Sequence, residues 1–117
     1  MRALVVDDDT VSRLVLAHIL HKAGWDVAQA DDVAAAVAAA PGADVVFCDY
    51  RLPSGTGLDV LAGVRGACAD VPFVLVTGVV EHAAVGDDPP DGVTALLSKP
   101  VSTATVTRVL AGLGPAA

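Results

Sequence analysis

The sequence has few aromatic residues, few basic residues and no long apolar run. Aromatic side chains make up 3% of the 117 residues and hydrophobic ones 54%, so the core must consist mainly of Val, Leu and Ala. The 7 Lys and Arg against 14 Asp and Glu argue against direct nucleic-acid binding, because phosphate contacts require basic clusters. No apolar run approaches the roughly 18 residues of a membrane span, and no signal-peptide cleavage site follows the N-terminus. We therefore expect a cytoplasmic protein without membrane contact.

Cysteine is also scarce. Cys48 and Cys68 lie far apart and have no CxxC partner and no His at the spacing of a zinc site. Since free Cys behaves as a small hydrophobic residue, both are predicted to be buried thiols.

Short apolar runs alternate with segments of helical spacing. Four runs predict strands buried on both faces, and a weaker one predicts an edge strand. The four are Ala3–Val6, Val45–Cys48, Phe73–Val76 and Val93–Leu97, and the weaker one is Trp25–Ala28. A strand followed by a helix, five times over, predicts one domain over residues 1–117 with a parallel sheet and helices on both faces.

The helix predictions rest on caps and apolar stripes. The first helix shows a stripe of Val11, Leu14, Val15, His18 and Ile19 that ends at Ala23-Gly24. The later helices are predicted over Val33–Ala40 after Asp32, after Gly57, near Val80–Val85 as a short or irregular helix, and from Ser102 to Leu113.

Polar residues follow the predicted strands. Asp7-Asp8-Asp9 ends the first strand, Asp49 the third and Thr77 the fourth, and Lys99 follows the fifth. Ligands of open parallel sheets bind beyond the carboxyl ends of the strands, so these side chains are expected to converge. Because clustered carboxylates repel each other, the arrangement predicts a hard divalent cation, most naturally Mg²⁺. One carboxylate could then act as a nucleophile toward a phosphoryl donor, with the lysine and the hydroxyl completing the site.

These segments resemble the receiver domains of bacterial two-component response regulators along essentially the whole chain. The resemblance is carried by Leu4-Val5-Val6-Asp7-Asp8-Asp9 with Arg13, by Asp44–Pro53 with Gly57, by Val74–Gly78 and by Leu97–Pro100. It implies a flavodoxin-like fold with strand order 2-1-3-4-5. It also implies a histidine kinase or histidine phosphotransfer protein as phosphoryl donor, and an unknown downstream protein. Such a domain is not an enzyme beyond catalysing its own phosphorylation and dephosphorylation.

The resemblance also implies residue roles. Asp49 would be the phosphoacceptor, with Thr77 and Lys99 as the catalytic hydroxyl and lysine. Asp7, Asp8, Asp49 and the backbone carbonyl of Arg51 would bind Mg²⁺, Asp8 directly and Asp7 through water. Asp9 matches no required role and is predicted to cap the first helix. Lys99-Pro100 is expected to be cis, as it often is in receivers.

Two features depart from the family pattern. An aromatic residue often lies three positions before the lysine, where this chain has Leu96. The stretch from Gly86 to Gly92 is broken by Pro and Gly, where many receivers carry a helix that meets partners. Both departures concern how a phosphorylated domain would signal to a partner, and they leave the residues of the acceptor chemistry unchanged.

Two alternative functions stay open at this point. Asp7-Asp8-Asp9-Thr10-Val11 and Gly86–Asp91 fit motifs of haloacid-dehalogenase-type phosphatases, with Asp7 as nucleophile, although Lys99 follows the second motif where those enzymes place the lysine before it. The other alternative is a degenerate receiver that is never phosphorylated and acts as a docking module.

Overall fold

The structure is a computed structural model that describes residues 1–68, 70–78 and 88–113. The strands are β1 (Arg2–Val6), β2 (Asp26–Ala30), β3 (Val45–Asp49), β4 (Arg51–Leu52), β5 (Gly55–Thr56), β6 (Phe73–Thr77) and β7 (Ala95–Ser98). The helices are α1 (Thr10–Lys22), α2 (Val33–Ala39), α3 (Gly57–Cys68) and α4 (Thr103–Gly112). Within these ranges, every helix falls short of the length and hydropathy that crossing a membrane requires.

Five strands form one parallel sheet in the order β2-β1-β3-β6-β7, while β4 and β5 form a separate antiparallel hairpin. Counted over the main sheet alone, this is the order 2-1-3-4-5, which confirms the predicted flavodoxin-like α/β fold. The chain runs from β1 out to β2 and then returns to the other side of β1. The winding therefore reverses between β1 and β3, where such sheets form a crevice at their carboxyl ends.

The sheet is covered on both faces by apolar side chains. Leu4, Val46 and Leu75 belong to a buried cluster that includes residues of α2 and α3. Val5 and Phe47 belong to a second cluster, which includes residues of α1 and α4. Because successive strand residues point to opposite faces, strands buried on both faces appear as continuous apolar runs in the sequence. This explains why the central strands were visible there without alternation.

The less regular strands begin and end elsewhere than predicted. The edge strand covers Asp26–Ala30 instead of Trp25–Ala28, and Trp25 is a half-buried residue that packs against the α1 side of the core. The last strand covers Ala95–Ser98, and Val93 before it donates its N–H to the Pro90 carbonyl at 2.9 Å. This strand lies at the edge of the sheet and is mostly half-buried, so the prediction of a strand buried on both faces is wrong here.

The first helix forms as predicted, but the predicted apolar stripe does not face the core. Val11, Leu14 and Val15 are 69%, 51% and 44% exposed, whereas Leu16 and Leu20 are buried against the sheet. His18 is exposed as well, Ile19 is half-buried, and Ala17 completes the buried side. Apolar residues occupy most sides of α1, so spacing alone did not identify the buried side.

The predicted helix caps are confirmed. Asp9 accepts a hydrogen bond from the Ser12 N–H at 3.2 Å, and Asp32 accepts one from the Ala35 N–H at 2.7 Å. Ser102 and Thr105 form a reciprocal capping box at the start of α4. Each cap satisfies an N–H group that has no partner within the helix.

Some predictions lie outside the described residues. These are the helix near Val80–Val85, the side chain of Cys68, and Gly86 and Asp87 of the phosphatase-like motif. Cys48 is described and is fully buried, as expected.

Candidate functional site

Three carboxylates meet at the carboxyl edge of the sheet, where the winding reverses. Asp7 and Asp8 follow β1 directly, and Asp49 is the last residue of β3. One carboxylate oxygen of each lies within 4.8 Å of the others. Val6 pairs with Cys48 in the parallel register, so the residues that follow this pair leave the sheet side by side. Asp7 and Asp49 are 6% and 7% exposed, whereas Asp8 is exposed to solvent.

Lys99 reaches the two buried carboxylates from the end of β7. Its Nζ lies 3.1 Å from Asp7 Oδ2 and 3.2 Å from Asp49 Oδ2. The Lys99 N–H donates to the Thr77 carbonyl at 2.8 Å, and the Lys99-Pro100 peptide bond is cis, as expected. A lysine remote in sequence thus places its ammonium between two aspartates of neighbouring strands.

Burial determines the proton affinity of the central carboxylate. Desolvation raises the pKa of Asp49 from 3.8 to about 6; the positive charge of Lys99 opposes this rise, and the negative charge of Asp7 adds to it. Burial lowers the pKa of Lys99, but the charges of Asp49 and Asp7 and the hydrogen bonds to both outweigh it, so that pKa is raised overall. At neutral pH the site therefore holds a predominantly ionised Asp49 beside a charged ammonium.

The donor set fits a hard divalent cation. Three ionised carboxylates carry three negative charges, and the ammonium of Lys99 neutralises one of them. The oxygens that remain in excess are the ligands that Mg²⁺ and Ca²⁺ prefer. Asp8 is exposed to solvent, so a hydrated ion has access to the cluster through this residue. The acidic pocket can hold a metal ion.

Thr77 contributes a buried hydroxyl at the end of the neighbouring strand. Asp49 pairs with Val76, so Thr77 lies one residue beyond the residue that pairs with Asp49 in the sheet. Thr77 is fully buried, and its Oγ1 has no hydrogen-bond partner among the described residues. An unsatisfied buried hydroxyl is destabilising by about 1–3 kcal/mol. A hydrogen-bond acceptor brought within reach of Oγ1 would remove this cost.

Arg13 holds the acidic loop in place from α1. One guanidinium nitrogen donates to the Asp7 carbonyl at 3.0 Å, and Nε donates to Gln29 Oε1 at 3.0 Å. The Asp7 carboxylate also accepts the Asp9 N–H at 2.9 Å. Arg13 was part of the sequence resemblance, but its role was not predicted, because nothing in the sequence indicates that it contacts a backbone carbonyl.

The segment after Asp49 needs a glycine. The Tyr50 N–H donates to the Val76 carbonyl at 2.9 Å and its carbonyl accepts the Gly57 N–H at 2.7 Å. A Cβ atom on Gly57 would lie 2.6 Å from a Leu75 methyl carbon and 2.7 Å from the Asp49 carbonyl oxygen, both too close. The chain can therefore approach the end of β3 this closely only without a side chain at position 57. Arg51 is an exposed residue of the β4–β5 hairpin, two positions after Asp49.

Leu96 lies apart from the acidic cluster. It pairs with Leu75 across the sheet and is half-buried against the cluster that includes α2 and α3. Of the predicted site residues, the structure brings together the side chains of Asp7, Asp8, Asp49 and Lys99. Thr77 lies on the adjoining strand.

Comparison with known proteins agrees with this geometry. The family model described as response regulator receiver domain matches residues 3–111. The photosynthetic apparatus regulatory protein RegA of Rhodovulum sulfidophilum is 36% identical over 115 residues, which are 97% of this chain and 63% of that protein. The chain thus spans less than two thirds of this curated relative.

Solved structures give the same result. The receiver domain of the hybrid histidine kinase CckA is 27% identical, with a TM-score of 0.79 and coverage of 97% of this chain and 99% of that one. A CheY-like receiver domain from Methylobacillus flagellatus has a TM-score of 0.86 at 24% identity, covering 97% and 98%, and shows the shared fold. With a family model that spans nearly its whole length and an acidic crevice at the switch point of the sheet, the chain belongs to the response regulator receiver domains.

Proposed function

We propose that Asp49 is the phosphoacceptor of this receiver domain. The observation that carries the proposal is the contact of Lys99 with both Asp49 and Asp7 at 3.2 and 3.1 Å. Such a lysine keeps a buried carboxylate ionised before transfer, and afterwards it can pair with the phosphoryl oxygens. The pKa of Asp49 is raised to about 6, a value that keeps it a competent nucleophile at neutral pH.

In the proposed transfer, a carboxylate oxygen of Asp49 attacks phosphorus as the bond from phosphorus to the donor's histidine nitrogen breaks. The leaving imidazole nitrogen keeps the electron pair, so no oxidant or reductant is involved. Lys99 stabilises negative charge on the phosphoryl oxygens, and the unpartnered Thr77 hydroxyl donates to one of them. The chain is therefore its own substrate, which separates it from a classical enzyme.

We assign the metal ligands to the carboxylates of Asp7, Asp8 and Asp49 and to the backbone carbonyl of Arg51, and we propose Mg²⁺ as the ion. When bound, Mg²⁺ screens the repulsion between the carboxylates and the incoming phosphoryl oxygens. The exposure of Asp8 suits direct coordination, and Asp7, which Lys99 already contacts, suits coordination through water.

Receiver domains pair with histidine kinases or phosphotransfer proteins, and we propose such a protein as donor in the cytoplasm. A downstream protein would respond to the phosphorylated form. The phosphoryl group shifts a conformational equilibrium only by its differential affinity for the two states. In this chain, any coupling of the phosphoryl group through Thr77 to that equilibrium must act without an aromatic residue at position 96, which is Leu96.

The test is labelling of the purified chain by acetyl phosphate. With Mg²⁺, intact-mass measurement should show one added phosphoryl group, and with a chelator it should show none. Asp49→Asn should abolish the addition, whereas Asp31→Asn, a change at an exposed aspartate outside the cluster, should keep it. Labelling of Asp49→Asn equal to wild type would refute the acceptor assignment.

The same experiment separates the two alternatives. A phosphatase that uses Asp7 as nucleophile would still be labelled in Asp49→Asn and would lose labelling in Asp7→Asn. Membership of the receiver family favours the receiver chemistry. Lys99 contacts Asp7 and Asp49 at nearly equal distances, so the labelling pattern is what separates the two nucleophiles. A docking module that is never phosphorylated would show no added mass in any variant.

A further inference from the structure

An apolar cavity adjoins the acidic crevice. Its volume is about 390 Å³, and Asp7, Asp49 and Lys99 line one part of it. The apolar part is lined by Val11, Val15, Leu16, Val76, Pro100 and Val101. The volume lies within the range of about 300–1,000 Å³ that small-molecule pockets occupy.

The cavity therefore combines two chemical environments. One end presents the proposed nucleophile and an ammonium, which suit a phosphoryl group. Among the described residues that line the rest, Ser12 offers the remaining hydroxyl group, which already donates to Asp9 Oδ2 at 2.7 Å. The group attached to the phosphoryl moiety would thus meet hydrocarbon, and its burial there is favourable in proportion to its apolar area.

The residues that line the cavity also limit which leaving group phosphorus can lose during transfer to Asp49. Lys99 is engaged by two carboxylates, and the apolar walls offer no proton to an alkoxide leaving group. An acyl phosphate avoids this difficulty, because its leaving group is a carboxylate that is stable without a proton. Asp49 forms the new oxygen–phosphorus bond, the bond between phosphorus and the acyl oxygen breaks, and that oxygen leaves with the electron pair.

We propose that this cavity is a subsite for the apolar acyl chain of small-molecule acyl phosphates, so that the chain prefers donors with acyl groups longer than acetyl. The inference rests on the proposed acceptor function of Asp49. Two additional methylene groups buried in the cavity should favour butyryl phosphate over acetyl phosphate by about tenfold in the rate constant per unit concentration.

The experiment compares the labelling rates of the full chain by acetyl and butyryl phosphate at equal Mg²⁺ and below saturation. Their ratio is the readout, because a general effect on chemistry or folding cancels in it. Val15→Phe places a ring on the cavity wall and should reduce the ratio to about one. Leu14→Phe adds a ring at the neighbouring position of α1, which does not line this cavity, and should retain the preference.

A binding measurement that involves no phosphoryl transfer tests the subsite independently of the acceptor assignment. Propylphosphonate, which has two methylene groups more than methylphosphonate, should bind about tenfold more tightly than methylphosphonate in the presence of Mg²⁺. NMR of the Val101 methyl groups follows the binding in both proteins, and Val15→Phe should remove the difference. A butyryl-to-acetyl ratio near one in wild type, or one that survives Val15→Phe, would overturn the subsite while leaving Asp49 as acceptor. No labelling by either donor, combined with the phosphonate preference, would refute the acceptor and support the cavity.

Discussion

The interior of the sheet and its carboxyl edge are built from opposite kinds of side chain. Along the strands the described core is apolar and includes fully buried Phe47 and Phe73. The buried polar or charged residues of the described ranges are Asp7, Asp49 and Thr77, each at or just beyond the carboxyl end of a strand. The interior therefore stabilises the fold, while the carboxyl edge holds buried polar groups that destabilise the folded protein unless a ligand is bound. Four substitutions, taken from the largest expected effect to the smallest, test this division.

Phe47→Ala should have the largest effect on stability. Phe47 is fully buried on the face that α1 and α4 cover, so its truncation should lower the free energy of unfolding by about 3–5 kcal/mol. Leu14→Ala, at a 51% exposed position on α1, should change it by less than about 0.5 kcal/mol. Urea denaturation measures both. Equal losses in the two variants would contradict the division between core and surface.

Asp49→Asn should stabilise the metal-free protein above about pH 4, with the full gain reached above about pH 6. Asp49 has a raised pKa of about 6 in the folded state against 3.8, so its ionisation disfavours folding. This destabilisation is small near pH 4 and grows until pH passes about 6, where it reaches about 2–3 kcal/mol. The free energy of unfolding of wild type should fall across this window, and that of the variant should not. A variant less stable than wild type at pH 8 would contradict this account.

Lys99→Met should act in the opposite direction. It removes the ammonium that contacts both Asp7 and Asp49, so two ionised carboxylates face each other with no cation. At pH 8 without metal we expect a loss of about 1–2 kcal/mol, a value reduced because the Lys99 side chain is partly exposed. Thermal melts with added Mg²⁺ should recover more stability in this variant than in wild type. If Lys99→Met were as stable as wild type at pH 8 and gained no more stability from Mg²⁺ than wild type, the ion pairs would contribute nothing to stability.

Thr77→Val should have the smallest effect, and it should be a gain. The change keeps the shape of the side chain and removes the hydroxyl that has no partner among the described residues. The free energy of unfolding should rise by about 1 kcal/mol, while labelling by acetyl phosphate should slow. If stability fell instead, the hydroxyl would have to be satisfied in the free protein.

The sequence revealed the parts of the molecule that local chemistry determines. Strands buried on both faces appear as unbroken apolar runs, and acidic residues directly after them mark the carboxyl edge, so Asp7, Asp8 and Asp49 could be placed there before the fold was known. Helix caps such as Asp9 and Ser102 involve a residue only three positions later in the chain, so they could also be predicted from the sequence.

The remaining features depend on contacts that the sequence does not encode locally. Apolar residues lie around most of α1, so the choice between Val15 and Leu16 as the buried side was decided by packing on the sheet. The hydrogen bond from Arg13 to Gln29 and the cavity beside Val101 join segments distant in sequence. The register of the strands, rather than any sequence motif, brings these segments together.

The central claim is that Asp49 receives the phosphoryl group, and the position of the label tests it most directly. After reaction with acetyl phosphate and Mg²⁺, borohydride reduces an aspartyl phosphate to homoserine, which peptide mass spectrometry can locate. Homoserine at position 49 and at no other aspartate is the predicted result. Homoserine at position 7 or 8, or none after labelling of the intact chain, would contradict the account.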